Sequence, residues 1–397
     1  MSGLPLAARL SALKPSATAG FHQKSLDLAA RGVKVLGFGV GEPDFAPPEH
    51  VLEATRKALE NGATRYTSVR GIPALRGAIC RDSALRRGGI RHAEDEVVVT
   101  VGAKHALFNL CFALLGPGDE AIVPTPAWVS YPEQIALAGA TPVLVETTRA
   151  EGYKLTAEAL EAALTPRTRA LFLCTPSNPT GAAYDELELK RLAEVIRRHQ
   201  LWVIVDEIYG ALVYDGFRQR SLLEVAPDLR ERIVLVDGVS KRFAMTGFRI
   251  GWMLAPREVA AACEVIQGQT TTSAAAPMQH AALAALSAPL DCVESMRLAF
   301  EARRALVIEE LARMPGIACR KPEGAFYAFF DVSAHLGRTL FGRVVETDTV
   351  LAELLLEHTH AAFVPGSAFF APGHLRMSYA ASEADLREGL SRLGRAL

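Results

Sequence analysis

The sequence lacks the features of membrane, secreted and nucleic-acid-binding proteins. No run of 18 apolar residues occurs, and the first 13 residues contain neither a long apolar core nor a cleavage signal. The 43 basic and 44 acidic residues nearly cancel, and they form no basic stripe that would attract nucleic acid or an anionic membrane. We therefore expect a cytoplasmic protein without nucleic-acid or membrane partners.

Metal and dinucleotide signatures are also missing. The six cysteines lie far apart, without C-x-x-C or zinc spacing, and are expected to be buried and reduced. His358 and His360 lack supporting carboxylate or cysteine ligands, so we expect no metal. The glycines between Gly37 and Gly41 are spaced G-x-G-x-G and precede Glu-Pro rather than a helix, which excludes a dinucleotide fingerprint.

What the chain does contain is a long alternation of strand-like and helix-like segments. Its 397 residues, half of them apolar, suit one large and one smaller domain. In the middle of the chain, apolar runs alternate with helical segments such as His105–Leu114 and Glu186–His199, a pattern typical of a mainly parallel sheet covered by helices. Strands are predicted at Val97–Val101, Ala121–Val123, Ala170–Cys174, Leu201–Val205 and Ile233–Val236.

The pattern changes after Pro277. Long helices such as Met296–Arg313 are followed by short strands near Phe326–Asp331 and His374–Tyr379, which indicates a second, α+β domain. We expect an N-terminal arm over residues 1–45 that packs with this smaller domain. The large domain is expected over 46–285 and the small one over 286–397.

Chemically distinctive residues follow each predicted strand. In open α/β sheets ligands bind beyond the carboxyl ends of the strands, so these residues should meet at one site. In chain order they are Gly102-Ala103-Lys104, Trp128, Asn178, Asp206 with Tyr209, and Ser240-Lys241 with Arg249. Together they offer a phosphate-binding helix start, a stacking ring, an amide, a carboxylate, a phenol, an amine and a guanidinium. This set fits a phosphorylated aromatic cofactor held as a Schiff base.

Five motifs carry a family resemblance, in the family's order. They are Gly41-Glu42-Pro43-Asp44-Phe45, Asn178-Pro179-Thr180-Gly181, Asp206-Glu207-Ile208-Tyr209, Gly238-Val239-Ser240-Lys241 with Gly247, Arg249 and Gly251, and Arg376-Met377-Ser378-Tyr379. The chain resembles class I, fold type I, pyridoxal-5′-phosphate (PLP) aminotransferases. The segments 14–18 and 243–247 are similar to the bacterial aspartate and aspartate/prephenate branch. The resemblance implies an α/β fold with a mainly parallel seven-stranded sheet between helices, plus a smaller α+β domain.

The resemblance also implies roles around the cofactor ring. Lys241 would hold the cofactor covalently, release it to the substrate amine and then move the substrate proton. Asp206, at the end of an apolar strand, would pair with the protonated ring nitrogen. Asn178 and Tyr209 would hydrogen-bond the ring oxygen, and Trp128 would stack on the ring.

Other residues would hold the phosphate. Arg249 and the Gly102-Ala103-Lys104 turn would bind it, and Ser240 could contribute. Tyr66 resembles the tyrosine that reaches the phosphate of the neighbouring subunit, which implies a homodimer with shared active sites. This chain has Gly238 where many relatives have a serine.

Substrate recognition is the third group of implied roles. Arg376 would clamp the α-carboxylate in a bidentate fork beside the backbone of Gly41, with Trp128 and Asn178 lining the same space. For a second carboxylate the candidate cations are Lys104 and Lys14, with Ser16 and Thr18 near Lys14.

The expected activity is ping-pong transamination between amino acids and 2-oxo acids. Aspartate with 2-oxoglutarate is the first choice of substrates, and prephenate is an additional one. The alternatives left open are an aminotransferase of alanine or aromatic specificity, a PLP-dependent β-lyase and, from a different class, a catalytically silent regulatory protein of the same fold.

Overall fold

Helices and short strands alternate along most of the chain. The computed structural model describes residues 7, 10, 13 and 17–397, with the side chains of residues 17, 18, 19 and 22 outside the description. In this part of the chain the α-helices are α1 Ala17–Ala30, α2 Glu49–Glu60, α3 Pro73–Arg86, α4 Ala103–Leu114, α5 Ser130–Leu137, α6 Ala157–Ala163, α7 Glu186–Arg198, α8 Leu222–Val225, α9 Val239–Arg242, α10 Arg257–Thr270, α11 Ala276–Ser287, α12 Asp291–Ala312, α13 Asp348–Thr359 and α14 Glu383–Ala396.

The strands of the same described part form four sheets. They are β1 Leu36–Gly37, β2 Val97–Val101, β3 Glu120–Thr125, β4 Thr141–Glu146, β5 Thr168–Cys174, β6 Trp202–Asp206, β7 Ile233–Gly238, β8 Ile250–Leu254, β9 Ala318–Cys319, β10 Tyr327–Asp331, β11 Thr339–Leu340, β12 Arg343–Val344, β13 Ala361–Ala362, β14 Val364–Pro365 and β15 His374–Ser378. None of the described helices is long and apolar enough to cross a membrane.

The largest sheet has seven strands in the order β2-β8-β7-β6-β5-β3-β4. Strand β8 runs antiparallel to both of its neighbours, and the other pairs are parallel, so β2 points the same way as β3 to β7. The five predicted strands are all present, which confirms a mainly parallel sheet. Two further strands were not predicted: β4 contains a proline and β8 contains a glycine.

Two apolar layers cover this sheet because side chains alternate along each strand. In β6, Val203 and Val205 belong to the cluster formed with helices α3, α7 and α11. Ile204, between them, belongs to the opposite cluster with α4, α5 and α10. Strands buried on both faces read as continuous apolar runs, which is why these strands could be recognised from the sequence.

A second body of structure is built on the four-stranded sheet β14-β15-β10-β9, which is antiparallel. Its core includes residues of α12, α13 and α14, and it also takes in Ile208, Tyr209, Leu212 and Tyr214, which follow β6. The chain beyond β6 therefore enters the core of the second body. This places the carboxyl end of β6 where the two bodies meet.

The residues before α2 are tied to the C-terminal part of the chain. Strand β1 pairs in parallel with β13, and the backbone N–H of Phe38 donates to the carbonyl of Ala362 at 2.9 Å. Phe38 is fully buried in the second core. These contacts fix the course of residues 39–41, which continue directly into the cavity described next.

Candidate functional site

A cavity of about 440 Å³ lies at the carboxyl ends of the parallel strands. It brings together Gly41, Ala103, Lys104, Trp128, Asn178, Asp206, Tyr209, Ser240, Lys241, Arg249 and Arg376 from the sequence prediction. Gly102, also predicted, immediately precedes Ala103. Strand ends from the large sheet form one side, and β10 and β15 of the second sheet supply Tyr327 and Arg376.

Lys241 lies in the short helix α9, directly after β7. Its Nζ lines the cavity and donates a hydrogen bond to the carbonyl oxygen of Gly41 at 2.5 Å. Burial lowers the pKa of this amine to about 8, with Arg249 and Arg376 acting in the same direction and Glu42 opposing them. The amine is therefore uncharged, and nucleophilic, in about a tenth of the molecules at pH 7, far more than for an ordinary lysine.

Asp206, the last residue of β6, is a buried carboxylate at 5% exposure. It accepts hydrogen bonds from the Tyr131 hydroxyl at 2.8 Å and from the backbone N–H of Ile208 at 3.1 Å. No cationic side chain of the described residues forms an ion pair with it. Burial accordingly raises the pKa of Asp206 to about 6, against the opposing effect of these two hydrogen bonds.

Arg376, in β15, presents the opposite situation. Its guanidinium is 3% exposed and donates to the Asn178 side-chain oxygen at 2.9 Å and to the Gly39 carbonyl at 2.5 Å. It also lies 4.5 Å from the Tyr327 ring centre, and its buried Nε has no hydrogen-bond partner among the described residues. No carboxylate of the described chain pairs with it, and burial lowers its pKa. A buried cation with neutral partners is suited to an anionic ligand.

The start of α4 forms the corner of the cavity that holds Arg249. Gly102 has φ +75°, and a Cβ placed there would lie 2.5 Å from Arg249 Nη2. A Cβ on Gly251 would lie 2.2 Å from the Ala103 nitrogen, so two glycines allow this close packing. Arg249 donates to the Thr246 carbonyl at 3.0 Å, and no described carboxylate pairs with it. A helix N-terminus beside a guanidinium is suited to phosphate.

The presence of glycine at position 238, where many relatives have a serine, has a steric explanation. A Cβ at this position would lie 2.9 Å from the Ile250 carbonyl and 3.0 Å from the Gly251 Cα, both of them backbone atoms. A serine therefore does not fit without movement of β8. Ser240 is buried and lines the cavity, which leaves its hydroxyl available to a ligand.

Trp128 and Lys104 form the cavity's outer part. The Lys104 Nζ lies 4.9 Å from the centre of the Trp128 ring, and Trp128 contacts Tyr131 edge-on at 5.3 Å. Burial lowers the pKa of Lys104, and the nearby Arg249 charge lowers it further. No described carboxylate pairs with Lys104 either.

Tyr131 and Tyr327 are two cavity residues that sequence reasoning missed. Tyr131 lies three residues after Trp128, in the first turn of α5, and its hydroxyl donates to Asp206. Tyr327 is fully buried, and its hydroxyl lies 2.9 Å from that of Tyr209. No sequence motif marks Tyr327, because its partners come from distant parts of the chain.

Four predicted residues are not placed in the cavity. Tyr66 is 90% exposed and lines a different surface depression with Leu59 and Pro277. Lys14 and Ser16 lie outside the described residues. Thr18 belongs to α1, and its side chain is likewise outside the description.

The described residues fit PLP. Four cationic side chains and one carboxylate line the cavity, which suits a ligand with several negative groups and one protonated ring nitrogen. Asp206, without a cation, suits that nitrogen, and the Gly102-Ala103 helix start with Arg249 suits the phosphate. Lys241 provides the buried amine that an aldehyde requires.

Comparison with known proteins agrees with this geometry. The family model for aminotransferase class I and II matches residues 33–393. The chain is 43% identical to an aspartate aminotransferase of Rhizobium meliloti, covering 100% of this chain and 97% of the relative. It is 43% identical to an aspartate/prephenate aminotransferase of Cereibacter sphaeroides, covering 97% and 96%.

Solved structures give the same result. The Rhizobium meliloti aspartate aminotransferase structure has a TM-score of 0.96 at 42% identity, covering 99% of both chains. The Thermus thermophilus aspartate aminotransferase with maleate has a TM-score of 0.92 at 42% identity, covering 99% of this chain and 100% of that one. The protein therefore belongs to the class I and II aminotransferases, enzymes that use pyridoxal phosphate.

Proposed function

We propose that the protein transfers an amino group from L-aspartate to 2-oxoglutarate, giving oxaloacetate and L-glutamate. The two half-reactions share one site: the first 2-oxo acid leaves before the second enters. The observation that carries this proposal is that two buried residues, Asp206 and Arg376, lack an opposite charge among the described residues and share one cavity with the amine of Lys241.

The cofactor would be held through its ring, its phosphate and its aldehyde. Asp206 would keep the ring nitrogen protonated, Arg249 and the N-terminus of α4 would bind the phosphate, and Trp128 would stack on the ring. Asn178 and Tyr209 would donate to the ring oxygen. When bound, PLP supplies an aldehyde for the amino group and a ring that accepts the electron pair released at Cα.

Lys241 would act twice, because its amine is buried and partly uncharged. Its Nζ would first join the cofactor covalently. After displacement by the substrate amine, the same Nζ would accept the Cα proton and return it to the cofactor carbon. The hydrogen bond to the Gly41 carbonyl directs Nζ into the cavity, toward the side on which Arg376 would hold the substrate.

Arg376 would bind the substrate α-carboxylate by two parallel hydrogen bonds. Its links to Asn178 and Gly39 set the orientation of the guanidinium before substrate arrives. Lys104 would face the second carboxylate of aspartate or 2-oxoglutarate, since it is cationic, lines the cavity and has no carboxylate partner in the described chain. Lys14 is proposed as a further cation at this end.

The test is a combined chemical and kinetic experiment. Purified protein incubated with PLP should absorb visible light, and borohydride followed by peptide mass mapping should place the reduced cofactor on Lys241. Aspartate and 2-oxoglutarate should then exchange an amine, and Lys241→Ala should abolish this, whereas the surface variant Lys190→Ala should not. Absence of amine transfer from aspartate or glutamate to any 2-oxo acid would overturn the proposal.

Prephenate is a second candidate amine acceptor. Several relatives carry the name aspartate/prephenate aminotransferase, at 40 to 43% identity. Including prephenate in the substrate panel decides this: its conversion by wild type at a rate within about tenfold of 2-oxoglutarate would support the dual activity.

We also propose a homodimer with shared active sites. This proposal rests on the exposure of Tyr66, whose side chain is almost wholly exposed beside the exposed Leu59. Tyr66 would reach the phosphate of the neighbouring site. Mixed dimers of Lys241→Ala and Tyr66→Ala chains should regain activity, because one of their two sites carries neither change; no recovery would count against sharing.

A cytoplasmic location and the division at residues 45 and 285 remain proposals from the sequence.

A further inference from the structure

The hydroxyls of Tyr209 and Tyr327 form an isolated pair in the wall of the cavity. Their oxygens are 2.9 Å apart, both residues are buried, and each hydroxyl has the other as its hydrogen-bond partner in the described chain. Tyr209 follows β6 of the large sheet, whereas Tyr327 begins β10 of the second sheet, so the pair links segments that are far apart in the sequence. Two phenols sharing one hydrogen bond leave one proton free.

The surroundings decide which hydroxyl donates. The Arg376 guanidinium lies 4.5 Å from the Tyr327 ring centre, and a Cβ placed on Gly41 would lie 2.5 Å from the Tyr327 oxygen, so this oxygen also faces the glycine backbone. A free Tyr327 proton would point toward a cation and a glycine backbone that offer no anionic acceptor. Burial raises the pKa of both phenols, and the Arg376 charge opposes that rise at both. Because the guanidinium packs on the Tyr327 ring, Tyr327 is the better donor.

The proton left free then belongs to Tyr209. Tyr209 lines the same cavity as Asn178, Asp206 and Lys241, where the cofactor ring would lie. A phenol that accepts one hydrogen bond donates a stronger second one, because each bond polarises the next.

We propose that Tyr327 is a positioning residue, which donates its proton to the Tyr209 oxygen and so directs the Tyr209 proton to the ring oxygen of the cofactor. The inference rests on the proposed function. It assigns Tyr327 no contact with the reacting atoms: its effect passes through Tyr209. The expected consequence is a lower pH for the spectral titration of the cofactor-loaded protein, since donation to the ionised ring oxygen stabilises it.

The experiment is a spectrophotometric pH titration of PLP-loaded protein. Tyr327→Phe removes the hydroxyl and keeps the ring beside Arg376. Its titration midpoint should rise by about 0.5 to 1 pH unit, the size expected for one lost hydrogen bond. The KM for aspartate should change little, because the packing against Arg376 remains. The matched control is Tyr379→Phe, which is equally buried in the same core and donates to the Ala325 carbonyl at 3.3 Å, so its midpoint should stay at the wild-type value.

A double-variant cycle tests whether the effect of Tyr327 passes through Tyr209. Tyr209→Phe should raise the midpoint by at least as much as Tyr327→Phe, and the double variant should match Tyr209→Phe alone. Additive shifts would overturn the inference, as would a Tyr327→Phe midpoint equal to that of wild type. Urea unfolding of all four variants shows whether each is folded. A wild-type protein without a visible band would overturn the proposed function as well, which separates the two failures.

Discussion

Two sets of buried charged residues contain neighbours in the sequence but differ in their partners. Those of the first set form ion pairs with each other, whereas those of the second have no opposite charge beside them among the described residues. Beneath the cavity, a neutral network joins three carboxylates and three guanidiniums: Asp82, Glu207 and Asp237 with Arg86, Arg87 and Arg242. Arg87 bridges Glu207 at 2.6 Å and Asp237 at 3.1 Å, and Arg242 reaches Asp82 at 2.7 Å. In the cavity, Asp206 and Arg376 have only neutral partners.

The contrast is sharpest along the chain. Asp206 and Glu207 are adjacent, as are Lys241 and Arg242, yet one residue of each pair joins the network and the other faces the cavity. The network joins α3 to the tips of β6 and β7, and thereby holds the backbone that presents Asp206 and Lys241. Burial of an unpaired charge costs free energy, so the unpaired residues mark where ligands are to bind.

The largest expected effect is on the free energy of unfolding of the cofactor-free protein, when one carboxylate of each set is replaced by an amide. Asp237→Asn leaves Arg86 and Arg87 short of a counter-charge and should lower the free energy of unfolding by about 3 to 5 kcal/mol. Asp206→Asn removes a carboxylate that has no cation, and should raise the free energy of unfolding at pH 7 by about 3 kcal/mol. Urea unfolding measures both. A destabilised Asp206→Asn would show that Asp206 is a structural charge.

The sign of the Asp206 effect also predicts a pH dependence. Its pKa is raised from 3.8 to about 6, so the folded protein binds more protons than the unfolded chain between these values. Stability from this group is therefore fully present below pH 4 and is lost as pH rises through 6. The difference in unfolding free energy between wild type and Asp206→Asn should follow this course, and PLP should reverse it by supplying a cation.

The next effect concerns Arg376. Arg376→Lys keeps a charge but loses the planar fork, so the KM for aspartate and for 2-oxoglutarate should rise by about 10- to 100-fold. Arg304→Lys is the matched control, since Arg304 is also buried against a tyrosine but is paired with Asp215 at 2.8 Å. Steady-state kinetics should show an unchanged KM for the control. Equal KM values for both variants would remove Arg376 from substrate binding.

Lys241 provides an effect of about tenfold. Its pKa, lowered from 10.5 to about 8, means that the uncharged amine rises from about a tenth at pH 7 to about nine tenths at pH 9. The rate of PLP capture by the cofactor-free protein should rise by about tenfold over this range and level off above it. Stopped-flow absorbance measures the rate. A rate still rising steeply between pH 9 and 10 would mean that burial does not lower this pKa.

How much of this could be predicted from the sequence depended on distance along the chain. Lys241, Asp206 and Asn178 each end or follow a continuous apolar strand, so the direction of a parallel sheet was enough to bring them together. Tyr327 could not be found this way: it bonds Tyr209 across 118 residues and belongs to another sheet. The same holds for Arg87, which meets Glu207 across 120 residues.

The sequence also does not predict which charged residues pair with each other. The order of residues does not reveal why Glu207 pairs with Arg87 while the side chain bonded to Asp206 is that of Tyr131, because α3 and α5 pack on opposite faces of the sheet. Strand β8 went unrecognised, although its glycine is what allows the start of α4 to approach. The motif residues were thus predictable, and the side chains that tune them were not.

The smallest expected effect tests whether the contrast extends to the rim of the cavity. Lys104 has no carboxylate partner in the described chain, but it is exposed, so solvent screens its charge and its contribution should be modest. Lys104→Ser should lower kcat/KM for aspartate by about three- to tenfold and leave that for alanine nearly unchanged. Lys190→Ser, an exposed lysine paired with Glu186, is the control. A cation that binds the second carboxylate must distinguish aspartate from alanine, because these substrates differ only in that group. Equal losses of kcat/KM for both would therefore assign Lys104 to general cofactor binding, and the enzyme to the alternative of alanine specificity.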